Sequence, residues 1–440
     1  MLNATRRFRV RRLAYILALV SALVAAGCGG SDVPSAADVV SSDSSVESVD
    51  EAVEPTLDET AAAAVEGSLE DQWLSSWIVN DDGETSSTIG TDNVVNVQSV
   101  EVVEIDGVRY AMIEASDIPG YEYEISKLDE ALLRSRPRYE SDFGDDELLV
   151  SAGDIIQFGD DMGFLSACDG EANAGAGFWP PGPACATVQE SSLLLPLSPE
   201  LAADGEETTT GLGQIGLFVN GVSIFGWGDG MSYNNDRVWF NLAPIAESLD
   251  LDICPGHSAN GEYHHHSYPA CLAAELGDDG QDHSPIYGFA ADGFPIYGPW
   301  VAVGQLAESS WVTRDLDDPD SPYACGEVGV RTCVMVDQMD PTLGVITADS
   351  AGPDTTDEVE SLSGNTFTAS AGYYFEDHYY DEARNDGTLA ALDDHNGHDH
   401  DGLGYHYHVT SLLDDDGRLV DVFPYYLGPQ LAGVVLEMSR

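Results

Sequence analysis

The sequence predicts a mainly β protein: a single compact β-rich domain, sandwich- or barrel-like, with long acidic loops and few short helices. Three observations carry that prediction. Short apolar runs such as VVNVQSVEVVEI, GVRYAMIEA and IGLFVNGVSIFGW recur between turn residues, as strands do. Glycine, proline and aromatic residues are spread through residues 160–430, where long helical periodicity is hard to find. Residues 284–299, SPIYGFAADGFPIYGP, read as a hairpin whose two similar arms flank Asp292 and Gly293, a dipeptide suited to a type I′ turn. The main exception is ISKLDEALLRS, which predicts a helix at about 125–135, and acidic residues gather in expected loops at 313–325 and 349–362.

Along the chain, residues 1–27 read as an export signal. Arg6, Arg7, Arg9, Arg11 and Arg12 precede an apolar run from Leu13 to Ala26 that is too short to span a bilayer comfortably. AAGC, ending at Cys28, resembles a lipobox, which predicts acylation of Cys28; ordinary signal cleavage that leaves Cys28 free is the alternative. Residues 28–70 are rich in Ser, Asp, Glu, Ala and Val and cannot bury enough apolar surface to order themselves, so they predict a disordered acidic tether. Folded chain is expected from QWLSSWIV onward, with a small β-rich subdomain at 71–160 and the main domain at 161–435. The expected location is extracytoplasmic, at the cell surface or in the periplasm, with a membrane partner reached only through the N-terminal lipid.

The net charge is −62, and signal cleavage would remove five arginines and make it more negative. Such a field repels nucleic acid and anionic membrane surfaces, which excludes both as partners. Lys127 is the only lysine, and so acid-rich a surface suits a saline habitat in which salt screens self-repulsion.

Six cysteines follow Cys28. An oxidising compartment favours disulfides, and the local pairs Cys168–Cys185, Cys254–Cys271 and Cys325–Cys333 close short loops. Thiolate metal ligation is the weaker alternative because no CxxC spacing occurs.

All 11 histidines lie between His257 and His408. CPGHSANGEYHHH and NGHDHDGLGYHYH align as a diverged repeat, each with a Gly-His pair, a polar turn and Tyr-His-x-His, so that His264 and His266 match His406 and His408. On a strand, residues i and i+2 share a face about 6.5 to 7 Å apart, close enough for two imidazoles to lean onto one ion. Two such halves, brought together, would hold one transition-metal ion through His264, His266, His406 and His408. His257 or His283 would assist, and Asp292 or Asp282 would complete a mixed nitrogen and oxygen site. His265 takes the place of Tyr407 and should face away, while His395, His398 and His400 sit in an acidic turn with at least one of them solvent-exposed. Imidazole-rich sites suit zinc, copper, iron or nickel better than magnesium or calcium, and copper or zinc is the expected ion. DDHNGHDHDG superficially suggests a calcium loop but lacks that pattern's oxygen ligands and its glutamate at position twelve. Two alternatives stand beside metal binding. One is a metal-dependent surface enzyme, hydrolytic or oxidative, using an acid such as Asp292 or Glu262 beside an open coordination position. The other is a structural or adhesive module whose His and Tyr residues form a metal-free hydrogen-bonded core.

Through GFWPPGPAC, IGLFVNGVSIF, CPGHSANGEYHHH, DGFPIYGP and YHYHVT, the chain resembles the YHYH family of exported proteins over roughly residues 160–430. It departs from the family pattern at His265, where a tyrosine is expected, and in a long acidic insertion between Cys333 and Tyr373. The resemblance implies location and fold and brings no reaction with it.

Overall fold

Two thirteen-residue stretches, IGLFVNGVSIFGW (215–227) and YGFAADGFPIYGP (287–299), organise the molecule. In the computed structural model, which describes residues 68–88, 91–120, 122–143, 148–164, 185–415 and 417–435, each stretch folds as a hairpin. The first comprises β1 (Gln214–Phe218) and β2 (Ser223–Phe225). Each histidine segment adds a second hairpin, and for the first half this is β3 (Gly256–Ala259) with β4 (Glu262–His265). The second half repeats the plan with β5 (Ile286–Ala290), β6 (Pro295–Tyr297), β7 (Gly397–Asp399) and β8 (Tyr405–His408).

The eight strands form one sheet in the order β3-β4-β2-β1-β5-β6-β8-β7, which reads the same from either end. Every pairing has its mate: β2 runs parallel to β4 as β6 does to β8, and the outer hairpins are antiparallel in both halves. The central antiparallel pair sets Leu217 opposite Phe289, with Gly288 facing Phe218 and Ala290 facing Gly216. A pseudo-twofold axis therefore passes through Leu217 and Phe289. A Cβ on Gly216 would stand 2.5 Å from the Phe289 carbonyl oxygen, and one on Gly288 2.6 Å from that of Leu217, so only glycine permits this approach.

The sheet is open, with β3 and β7 at its edges, so mainly β holds and the described residues show no closed barrel. The predicted type I′ turn is replaced by a three-residue loop. Gly293 N–H donates to the Ala290 carbonyl and only Gly293 takes a positive φ, +92°, while Gly221 does the same at +77° in the first half. The predicted helix forms over Lys127–Arg134, opened by a capping box between Ser126 and Asp129.

Val65–Arg440 make one compact unit. The helix Leu69–Ser75 carries Trp73 onto Phe289, which Trp77 also stacks on at 5.2 Å. Strand Val108–Ala115 pairs with both Val97–Ile105 and Ser191–Pro196, and its inner residues join the main core cluster. The acidic insertion folds as two hairpins, Cys333–Met335 with Val345–Thr347 and Glu358–Glu360 with Thr366–Thr368. It packs around a smaller cluster that includes Trp239, Tyr373 and Tyr374. Arg331, fully buried, anchors this region by donating to both oxygens of Asp377 and to the carbonyls of Pro353, Ala369 and Ser370. So complete a set of acceptors lets a guanidinium lie in the interior.

Disulfides join Cys254 to Cys271 and Cys325 to Cys333. Cys168, the signal at 1–27, Cys28 and the tether up to residue 67 lie outside the described residues. No described helix is long and apolar enough to cross a membrane.

Candidate metal centres

The two histidine half-sites do not meet. β4 and β8 are separated by β2, β1, β5 and β6, which at about 4.8 Å per strand places them roughly 24 Å apart. The expectation of one shared ion fails for a definite reason: the repeat includes the strands at the sheet centre, so the pseudo-twofold carries its two copies outward. Each half instead builds a centre of its own.

In the first centre, the β3–β4 ladder sets His257 opposite His264, and strand alternation places His266 beside His264. All three are buried. Nδ1 of His264 lies 3.0 Å from the Glu262 carbonyl oxygen and Nδ1 of His266 2.6 Å from that of Gly226. A carbonyl can only accept, so each Nδ1 carries the proton and each Nε2 presents a lone pair. The two Nε2 atoms nevertheless stand 3.1 Å apart. Two bare lone pairs repel at that distance, whereas two ligands on one tetrahedral ion at 2.0–2.1 Å stand about 3.3 Å apart. The ligand atoms of His257, His264 and His266 lie within 4.8 Å of one another, and Glu247 stands beside two of these rings, its Oε2 3.3 Å from His257 Nε2 and 3.2 Å from His266 Nε2. Phe225 stacks on His264 at 3.7 Å and fixes the ring.

The second centre repeats the tethering. Nδ1 of His406 lies 2.7 Å from the Gly404 carbonyl oxygen and Nδ1 of His408 2.6 Å from that of Gly298, the counterpart of Gly226. His283 directs Nδ1 to the Ser284 carbonyl at 2.8 Å, and Nδ1 of His400 stands 3.2 Å from the Asp401 carboxylate. The Nε2 atoms of His283, His398, His400, His406 and His408 are all buried with no hydrogen-bond partner. Ligand atoms of His283, His400, His406 and His408 lie within 4.8 Å of one another. Nitrogens on one tetrahedral ion stand about 3.3 Å apart, so the rings must draw inward to close on an ion. Burial, and then mutual repulsion among these rings, lowers His408 well below its ordinary value. Burial also leads in lowering His406 to about 3 and His398 to about 4, and this keeps the rings in the neutral form that binds metal.

Behind each centre stands the same support. Asp252 accepts from Cys254 N–H, Gly256 N–H and the Tyr263 hydroxyl, and Asp393 accepts from His395 N–H, Gly397 N–H and the Tyr405 hydroxyl. A Cβ on Gly256 or Gly397 would stand 2.3 or 2.4 Å from those tyrosine oxygens, so the glycine of each Gly-His pair makes room for the hydroxyl.

Of the residues expected to act together, His257, His264 and His266 form one centre and His283, His406 and His408 the other. Asp292 joins neither. It is buried on the tyrosine side of the sheet, where it accepts from the Tyr407 hydroxyl at 2.5 Å and from the N–H groups of Phe294 and Gly433. Asp282 is exposed, and Glu262 contributes its backbone carbonyl. His265 faces away as expected, with Nδ1 on the Pro255 carbonyl. His400 is drawn inward, while His395 bonds to the Gln430 carbonyl at the place Cys254 holds in the first half. Asp393 of DDHNGHDHDG is engaged by a tyrosine and two backbone N–H groups. Two residues beside these clusters were not in the ligand set expected from the sequence. His400 sits in the recognised turn, and Glu247 comes from a distant loop that no motif marks.

Residues 192–328 match the YHYH protein family. The YHYH match spans β1 to β6 and stops before Tyr405, so of the two Tyr-His-x-His motifs it covers the diverged one. No curated protein and no solved structure matches the chain.

Proposed function

We propose that this exported protein binds transition-metal ions, copper or zinc, at two independent centres, one in each half of the sheet. One observation carries the reading: ring after ring spends its Nδ1 proton on a fixed carbonyl and aims its buried Nε2 lone pair at a common point. A buried nitrogen left without a partner costs about 1–3 kcal/mol, and the second centre holds five of them together. A cation removes that cost for all of them. A metal-free core would need the tyrosines as partners, but Tyr263, Tyr405 and Tyr407 bond to Asp252, Asp393 and Asp292 on the opposite face. The disulfides fit an oxidising compartment, and the N-terminal signal with Cys28 supports delivery there on a lipid anchor.

Elemental analysis of full-length protein, purified without an affinity-tag metal and then equilibrated with zinc or copper, tests this. Two ions per chain are expected. His264→Ala with His266→Ala should remove one, and His406→Ala with His408→Ala the other. Near-zero metal in the unaltered protein overturns the proposal, and loss of both ions from either pair of changes overturns the independence of the centres.

A further inference from the structure

The pseudo-symmetry shows what the first centre lacks. In the repeat Ala259 stands where the second half has His400, and counting back the 72 residues that separate the two hairpins puts Gly211 opposite His283. Two imidazoles that close the second centre are therefore replaced by small residues in the first, and only Glu247 is added. The freed space is a cavity of about 310 Å³ onto which His264, His266, Glu247 and Ala259 open. It shares Leu212, Gly228 and Gly230 as walls with a second cavity of about 280 Å³ lined by Trp227, Phe375, Phe240 and Met231. Trp227 and Phe375 stack there at 4.3 Å and are only half-buried, so ring surface faces the cavity. Leu212, 67% exposed, lies against the two glycines between the cavities, and a Cβ on Gly228 would meet its Cδ2 at 3.3 Å. An exposed leucine set between a histidine cluster and an aromatic wall suits an apolar ligand.

We infer that the first centre is a small-molecule site: an ion held by His257, His264, His266 and Glu247 keeps a coordination position open to the cleft. The ligand it takes pairs a metal-chelating head with an aromatic or otherwise flat apolar body seated on Trp227 and Phe375. This rests on the proposed metal binding. In the second centre His283 and His400 occupy the two positions that this ligand would need.

The test uses the zinc-loaded full chain, with benzohydroxamate and acetohydroxamate as probes and calorimetry as the readout. The two probes share a chelating head and differ in the ring. Benzohydroxamate should bind once per chain, about tenfold or more tighter than acetohydroxamate because the ring leaves water. Leu212→Ala should narrow that preference. Ala259→His, which installs the residue of the closed centre, should abolish probe binding while both zinc ions stay. His264→Ala with His266→Ala should lose the probe and one zinc, whereas His406→Ala with His408→Ala should keep the probe. Absence of zinc from the unaltered protein defeats the metal reading itself. Zinc at both centres with equal affinity for the two probes, or a probe indifferent to Ala259→His, defeats the inference alone.

Discussion

The two histidine centres are built on one template and differ in what was added to it. Both place a Gly-His and a His-x-His on an outer hairpin, tether Nδ1 atoms to carbonyls of the neighbouring hairpin, and rest on a buried aspartate that organises the turn. The second then gains His283 and His400 and becomes an all-imidazole cage. The first gains Glu247, keeps small residues at the two positions the cage fills, and opens onto a cleft. On the proposed reading, a framework that fixes ring orientation is held constant while side chains at its rim decide whether an ion faces a cleft. Breaking that comparison is a matter of perturbing one half and reading both.

Metal removal is the largest perturbation expected. A ligand bound only by the folded state stabilises by about 4 kcal/mol at a thousand times its Kd, so a chelator should lower the midpoint of thermal unfolding in the unaltered protein. Each pair of histidine-to-alanine changes should remove part of that shift. Hydrogen exchange should locate the loss of protection at β7 and β8 when only the second centre is emptied. An unchanged midpoint with chelator would show that neither cluster holds a structural ion.

The disulfide gives the next largest difference. Cys254 and Cys271, 17 residues apart, close a loop around the first centre, whereas the equivalent position in the second half is His395. Cys254→Ala with Cys271→Ala is expected to cost about 3 kcal/mol in the chain-entropy account of a loop of this size. Zinc affinity should fall at the first centre and hold at the second, which metal titration of the two pairs of histidine variants would resolve.

The aspartate supports were half legible. Alternation placed His264 with His266 and His406 with His408, and put the tyrosines on the other face, because period two is a property of any strand. The Gly-His pairs were legible as well. Asp252 and Asp393, at the same offset before each pair, extend the repeat to D-x-x-x-G-H, a signal present in the sequence that the histidines overshadowed. What misled was the assumption that repeated half-sites converge. The hairpins 215–227 and 287–299 repeat without any histidine, and a repeat of framework as well as ligands argues for two sites. Glu247 had no such signal, since its role comes from where a loop is laid across the sheet. Asp252→Ala and Asp393→Ala should each cost about 2 kcal/mol, from one tyrosine hydroxyl and two backbone N–H groups left without their acceptor, measured by urea unfolding. The zinc lost with Asp393 should exceed that lost with Asp252, whose turn the disulfide still holds.

The smallest expected effect concerns His265, the position at which the first copy departs from the tyrosine of the second. Tyr407 bonds to Asp292, whereas His265 packs edge-on against Phe218 at 5.6 Å; in the repeat Ala290 holds the place of Phe218, and Asn220 that of Asp292. The bulk has been exchanged across the pair: phenylalanine with histidine in one half, alanine with tyrosine in the other. His265→Tyr alone therefore overfills the first half and should cost about 1 kcal/mol. Adding Phe218→Ala restores the volume balance of the second half, and the new hydroxyl gains Asn220 as a neighbour, whose Nδ2 is buried without a partner. The double variant should thus be more stable than the single one in urea unfolding, a non-additive gain that only a shared packing site produces. Zinc content should stay at two ions throughout, because every one of these side chains lies on the face opposite the ring nitrogens. Loss of an ion from His265→Tyr would mean that the tyrosine face shapes the metal face, and the two centres would then differ by more than their rims.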